Sequence, residues 1–60
     1  MTGTCVSPGY YNITTGKQYE IISEEIVTGD LFYTFIDDDG EEVEAYAWRF
    51  SVNPFKVGIL

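Results

Sequence analysis

The hydrophobic and polar positions of two neighbouring stretches predict a β-hairpin near the middle of the chain. Residues 31–36 (LFYTFI) are aromatic or aliphatic apart from one threonine, and residues 42–48 (EVEAYAW) alternate acidic or aromatic with aliphatic side chains. Such residues favour strands, and the intervening segment 37–40 (DDDG) is typical of a tight turn in which glycine takes a positive φ. We therefore predict two strands joined by a type I turn that ends in a glycine bulge.

This loop pairs Asp37 with Glu41 and thereby sets the register of both strands. The inner, apolar face then has three pairs: Phe35 with Val43, Tyr33 with Ala45, and Leu31 with Ala47. The outer, mixed face has three others: Ile36 with Glu42, Thr34 with Glu44, and Phe32 with Tyr46. Because a slip of one residue would send Glu42 and Glu44 into the core, the pattern itself selects this register.

Shorter patterns predict three further strands, and with them an all-β fold. Tyr19 and Ile21 alternate with polar residues in a strand over residues 18–23, which we expect to continue to residue 27 after a bend. We also predict a short edge strand over residues 4–6, a 3₁₀ turn after the hairpin and a last strand over residues 50–52. These elements suggest a small five-stranded antiparallel barrel of the SH3-like type.

A chain of 60 residues allows a single domain. We place its core at residues 13–52, between an N-terminal arm (1–12) and a C-terminal tail (53–60). The stretches ITTGKQYEII and FYTFIDDDGEEVEAYAWRFSV, from Ile13 to Val52, also resemble small proteins common in phage and prophage genomes. Those proteins share the glycine-lysine start of the first strand, the acidic turn and the arginine-phenylalanine pair near the last strand. The resemblance implies the fold and a viral origin, and it implies no particular activity.

The distribution of charged residues along the chain says more about possible partners than the size of the net charge does. The net charge is −7, all ten acidic residues lie between Glu20 and Glu44, and no basic residue occurs from Gln18 to Trp48. Such a surface repels nucleic acids and anionic membranes and attracts a basic protein surface. A second interpretation is that the acids only keep a small β protein soluble.

The composition argues against catalysis and against a bound cofactor or metal. The chain has no histidine and only one cysteine, which leaves no zinc ligand set and no histidine base for a nucleophile. The acidic turn is similar to part of an EF-hand loop. With Gly40 at the sixth position, however, Phe35 and Tyr46 would occupy the first and twelfth, where neither can bind calcium. We expect Cys5 to be a small buried or half-buried apolar residue, and we predict that the protein is not an enzyme.

Targeting signals are equally sparse. No signal peptide follows Met1, and no apolar stretch approaches the roughly 20 residues of a membrane helix. A single cysteine fits a reducing compartment. We expect a protein of the cytoplasm, that of the host cell if a phage encodes it.

Two functions follow as hypotheses. The first is a module that binds and modulates a host or viral protein, with a nucleic-acid mimic as a special form. Its predicted contact residues are the hairpin acids and two aromatic residues: Asp37, Asp38, Asp39, Glu41, Glu42, Glu44, Tyr46 and Trp48. A proline-peptide groove of the SH3 kind would use the aromatic residues Tyr10, Tyr11, Phe32, Tyr46 and Trp48, which otherwise serve to fill and cover a small core. The second hypothesis is a structural or ligand-binding homo-oligomer with its interface in the apolar tail: Phe55, Val57, Ile59 and Leu60.

Overall fold

The computed structural model describes residues 1–52 and confirms the all-β fold. Five antiparallel strands form one sheet in the order β4-β3-β2-β1-β5. The strands are β1 (Thr2–Cys5), β2 (Gln18–Val27), β3 (Asp30–Ile36), β4 (Glu42–Tyr46) and β5 (Phe50–Val52). The predicted 3₁₀ turn lies between β4 and β5, at Ala47–Arg49. The predicted tail, and the interface placed on it, fall outside the described residues.

Strands β3 and β4 pair in the predicted register over five residue pairs, from Phe32 opposite Tyr46 to Ile36 opposite Glu42. The sixth predicted pair is wrong. Leu31 has no partner in β4, because the chain leaves the ladder at Ala47 to enter the 3₁₀ turn, and it pairs only with Ile26 of β2. Leu31 is therefore exposed instead of lying in the core.

Strand β2 bends, as predicted, and joins the two halves of the sheet. Its first residues pair with β1 and the remainder with β3, with a register irregularity between Ile21 and Ser23. Because of this bend, the apolar faces of the two halves face each other, although β4 and β5 do not pair. Strands β4 and β5 are the two edges of the sheet, so the sheet of residues 1–52 is open and the predicted closed barrel is not formed.

The first strand differs from its prediction in both extent and position. We expected an edge strand over residues 4–6, but β1 covers Thr2–Cys5 and lies between β2 and β5, within the segment assigned to an arm. Its small side chains allow close approach, since a Cβ at Gly3 would lie 3.1 Å from the Cβ of Phe50. Cys5 is buried, as predicted, and its burial raises the pKa of the thiol.

The core is built mainly from aromatic rings contributed by different strands. Phe35 is completely buried, and its ring centroid lies 4.8 Å from that of Phe50 and 6.4 Å from that of Tyr19. Edge-to-face contacts of this kind add to the free energy that burial of the rings provides. The buried residues are Cys5, Ile13, Tyr19, Ile21, Tyr33, Phe35, Ala45 and Phe50.

Candidate functional site

The acidic turn has the predicted geometry, and its first carboxylate is used inside it. The Gly40 N–H donates to the Asp37 carbonyl (3.0 Å), and Gly40 has a φ of 83°, as the glycine bulge requires. The Asp37 carboxylate accepts the backbone N–H groups of Asp39 (2.9 Å) and Glu41 (2.8 Å) through the same oxygen. This side chain stabilises the turn that carries it.

The second carboxylate fastens the turn to the loop before β2. Asp38 accepts hydrogen bonds from the Thr14 hydroxyl (2.9 Å), the Lys17 ammonium (2.8 Å) and the Tyr19 hydroxyl (2.8 Å). Its backbone N–H also donates to the Asn12 carbonyl. The Asp38 side chain is only 22% exposed as a result, which makes it a structural acceptor.

Asp39 belongs to the same arrangement, because the Asn12 side-chain amide donates a hydrogen bond to its carboxylate. The three aspartates at the hairpin tip therefore all bind groups of this chain. Three of these partners, Asn12, Thr14 and Lys17, lie in the loop that precedes β2. Of the eight predicted contact residues, the structure assigns these three to holding the fold together.

The ion pair between Asp38 and Lys17 shifts the pKa values of the two groups in opposite directions. The Lys17 hydrogen bond, followed by that of Tyr19, holds the pKa of Asp38 below its usual 3.8. The hydrogen bond to Asp38 in turn raises the pKa of Lys17 above its usual 10.5. The carboxylate stabilises the fold above its usual pKa, and this contribution is lost as pH falls through the lowered pKa. The lysine contribution is present below its usual pKa and is lost as pH rises through the raised one.

Asp38→Asn is therefore expected to lower the Tm at neutral pH and to flatten the acid limb of the stability curve. The variant retains a hydrogen-bond acceptor but loses the charge that titrates. Thermal unfolding followed by circular dichroism from about pH 7 to about pH 2 measures both effects. Asp30→Asn is the matched control, because Asp30 makes no side-chain hydrogen bond within residues 1–52. An acid limb equally steep in Asp38→Asn and in the wild type would contradict the assignment.

The three predicted glutamates behave differently from the aspartates. The side chains of Glu41, Glu42 and Glu44 are exposed and make no hydrogen bond or ion pair in the described part of the chain. Glu42 and Glu44 lie on the outer face of β4, as the register predicts. Glu25 of β2, which the sequence did not single out, joins the same face opposite Phe32.

A row of stacked rings crosses this outer face. Phe32 stacks on Tyr46 with 4.5 Å between ring centroids, and Tyr46 stacks on Trp48 at 5.8 Å. Trp48 is 59% exposed and Tyr46 is 38% exposed, so the row is open to solvent. We call Phe32, Tyr46, Trp48, Glu25, Glu42 and Glu44 the outer surface. The β3–β4 register places Phe32 beside Tyr46, and this pairing is the signal by which the sequence identifies Phe32 as a member.

One end of the ring row is closed by an arginine of this chain. The Arg49 guanidinium lies 4.6 Å from the Trp48 ring centroid and 5.0 Å from that of Tyr11. It also donates a hydrogen bond to the Ser7 carbonyl (3.0 Å). Tyr11 packs against the core, whereas Tyr10 is fully exposed and outside these stacking contacts. Of the five aromatic residues of the predicted groove, Phe32, Tyr46 and Trp48 form the row, Tyr11 joins it through Arg49, and Tyr10 lies apart.

Two further kinds of feature are absent from the part of the chain that the structure describes. No three acidic, cysteine or histidine side chains of residues 1–52 come together in a group that could hold a metal ion. Among the same residues, no helix has the length and apolar character needed to cross a membrane. Comparison of the chain with protein-family models, with curated proteins and with solved structures finds no match.

Proposed function

We propose that this protein is an interaction module that binds a basic surface of another protein through the outer surface. The observation that supports it is the exposed row of Phe32, Tyr46 and Trp48 beside carboxylates that have no partner in residues 1–52. Aromatic rings provide contact area at a low entropic cost, and carboxylates steer and orient a basic partner.

The arrangement of neighbours on the sheet supports a cationic partner. Glu25, Phe32 and Tyr46 form one row across three strands, and Thr34 with Glu44 forms the next. An arginine or lysine that contacts these rings therefore meets a carboxylate within one strand spacing, about 5 Å. The Arg49 guanidinium already stacks on Trp48, so the row accepts this kind of group within the chain itself.

The proposed contact rests on the glutamates of the outer surface and not on the aspartates of the hairpin tip. The aspartates at the hairpin tip stabilise the turn, and neutralising them would mix loss of folding with loss of binding. The glutamates of the outer surface have no such role, so they are the residues to test. The nucleic-acid mimic remains a special form of this proposal, with fewer free carboxylates than the sequence suggested.

A capture experiment with matched charge variants tests the proposal. Immobilised wild type is compared with the triple variant Glu25→Gln, Glu42→Gln, Glu44→Gln in a bacterial lysate. The control triple variant Glu20→Gln, Glu24→Gln, Glu41→Gln removes the same charge elsewhere. We expect the first variant to capture its partner about tenfold less than the wild type, and the control to capture as much as the wild type.

Equal losses in the two triple variants would show unspecific charge attraction, and full capture by both would contradict the outer surface as the binding site. The captured partner is then challenged with duplex DNA. Displacement supports the mimic form, whereas persistence of the complex restricts the proposal to ordinary protein binding.

The fold proposed for the module is SH3-like, and its proposed setting is a phage-infected cell in which a host or viral protein is the target.

One observation favours the alternative of a small homo-oligomer. Ile26, 71% exposed, pairs with Leu31, 37% exposed, near the free end of the β2–β3 hairpin. Exposed apolar clusters of this kind mark association sites. Size-exclusion chromatography of the capture samples over a range of concentrations decides this point, because a monomer throughout would exclude the oligomer.

A further inference from the structure

Strand β4 has one edge without a partner strand. It is the last strand in the sheet order, so its second edge is not covered by any strand of residues 1–52. The Asp37 N–H donates to the Glu41 carbonyl, which identifies that pair as hydrogen-bonded. Hydrogen-bonded and non-hydrogen-bonded pairs alternate along an antiparallel ladder. Val43 and Ala45 therefore direct their backbone groups toward β3, whereas Glu42, Glu44 and Tyr46 direct theirs toward the free edge.

The backbone groups at the free edge thus belong to the residues whose side chains lie on the outer surface. A strand added at this edge would pair with the backbone of Glu42, Glu44 and Tyr46 and would lie beside their side chains. Every second side chain of the added strand would face the two glutamates. The side chains between them would lie next to Val43 and Ala45, which are respectively half-buried and buried.

We propose that the partner binds as an extended segment added to the free edge of β4, with basic side chains alternating with apolar ones. This inference rests on the proposed function and names the mode of binding. Opposite charges across a strand pair stabilise it, so arginine or lysine next to Glu42 and Glu44 supplies the specificity. Backbone hydrogen bonds along the edge supply affinity that is independent of side-chain identity.

A second copy of this chain does not fit the same edge. Two β4 strands that pair antiparallel about their centres place Glu44 opposite Glu44, and like charges directly opposite each other destabilise a strand pair. Negative charge on an edge strand is a known way to prevent self-pairing. The other edge, β5 (Phe50–Val52), is three residues long and has no acidic residue. The charge pattern therefore favours a basic foreign strand, and favours it at β4.

Amide exchange measured by NMR tests the mode of binding with a defined probe. The probe is a peptide of about eight residues that alternates arginine and valine, long enough to cover a strand of ordinary length. In the free protein we expect the amides of Glu42, Glu44 and Tyr46 to exchange rapidly and those of Val43 and Ala45 slowly. The peptide should slow exchange at the first three by at least tenfold and leave the other two unchanged. A peptide of the same composition, with arginines and valines in separate blocks, should bind about tenfold more weakly.

Backbone methylation of the peptide separates strand addition from simple charge attraction. Methyl groups on alternate nitrogens, either those of the arginines or those of the valines, leave the charge unchanged and block one edge of the peptide. We expect methylation of the arginine nitrogens to abolish binding, because the arginines lie opposite Glu42 and Glu44, and methylation of the valine nitrogens to preserve it. Glu44→Pro gives the complementary result on the protein, because this N–H faces the free edge and is not needed by the β3–β4 ladder. It should weaken binding more than Glu44→Gln does.

The outcomes distinguish this inference from the proposed function. Binding of the peptide without slower exchange at Glu42, Glu44 and Tyr46 would overturn strand addition and leave the outer surface as a docking site. Equal binding of the two methylated peptides would overturn it as well. Absence of peptide binding at millimolar concentration would also overturn it, and the capture experiment with the glutamine variants would still decide the proposed function.

Discussion

Replacing Phe35 with alanine is expected to lower the free energy of unfolding by about 3–5 kcal/mol. Phe35 is completely buried, and its ring makes edge-to-face contacts with those of Phe50, Tyr19 and Tyr11. A domain this small has a total stability near the lower end of the usual range, about 5 kcal/mol. The variant should therefore keep only about 0–2 kcal/mol, so that up to about half of the molecules are unfolded at 25 °C. Near-ultraviolet circular dichroism and urea titration measure this directly.

Two comparison variants show whether the effect belongs to the core position. Phe35→Leu retains most of the buried volume and is expected to cost about 1 kcal/mol. Phe32→Ala removes a ring of the same size from the outer face, where the side chain is only partly buried, and should cost less than Phe35→Ala. If Phe32→Ala were the more destabilising of the two alanine variants, the inner and outer faces of the hairpin would be wrongly assigned.

Replacing Arg49 with lysine is expected to lower the free energy of unfolding by about 1–3 kcal/mol. The guanidinium lies against the rings of Trp48 and Tyr11 and donates to the Ser7 carbonyl. A lysine ammonium keeps the charge but lacks the planar group that stacks on rings while it donates. Trp48 is the only tryptophan, so its fluorescence during urea unfolding reports both the stability and the changed surroundings of the ring.

Gly9 provides the control for Arg49. A Cβ at this position would overlap the guanidinium, and the φ of 58° is unfavourable for other residues. Gly9→Ala should displace the arginine and add a backbone cost of its own. In a double-mutant cycle the two substitutions should be less than additive, since each removes the same contacts. Additive effects would show that the two substitutions act independently and that Gly9→Ala does not disturb the Arg49 contacts.

The hairpin was predictable because its information is local. The alternation of inward and outward side chains has a period of two, and the acidic turn with its glycine fixes where the strands begin to pair. Together they determine the register of β3 and β4 without reference to the rest of the chain. Strand β1 lacks such a pattern, since its residues are small and its partners are distant. Leu31 fits the alternation of its strand, yet it lies beyond the last pair of the ladder, where only the position of the 3₁₀ turn decides its exposure.

The residues of the candidate site also differ in whether the local sequence predicts their roles. Glu42, Glu44 and Tyr46 follow from the register, and the structure places them on the face where the sequence put them. The role of Asp38 was not predictable, because Thr14, Lys17 and Tyr19 precede it by 24, 21 and 19 residues. A run of acids in a sequence does not reveal which members bind the chain itself. That distinction needs the position of the opposing loop.

The position of β1 between β2 and β5 has a consequence for the order in which the fold is completed. Gly3, near the start of the chain, pairs with Val52, whereas β2, β3 and β4 are joined by short hairpins. Contacts between residues close in sequence form faster than distant ones, so the three-stranded meander precedes the docking of β1 and β5. During synthesis, β1 is made before the meander and yet is among the last of the five strands to gain its neighbours. Until Phe50 arrives, the rings of the meander remain exposed, and the nascent chain is at its most vulnerable to aggregation and proteolysis.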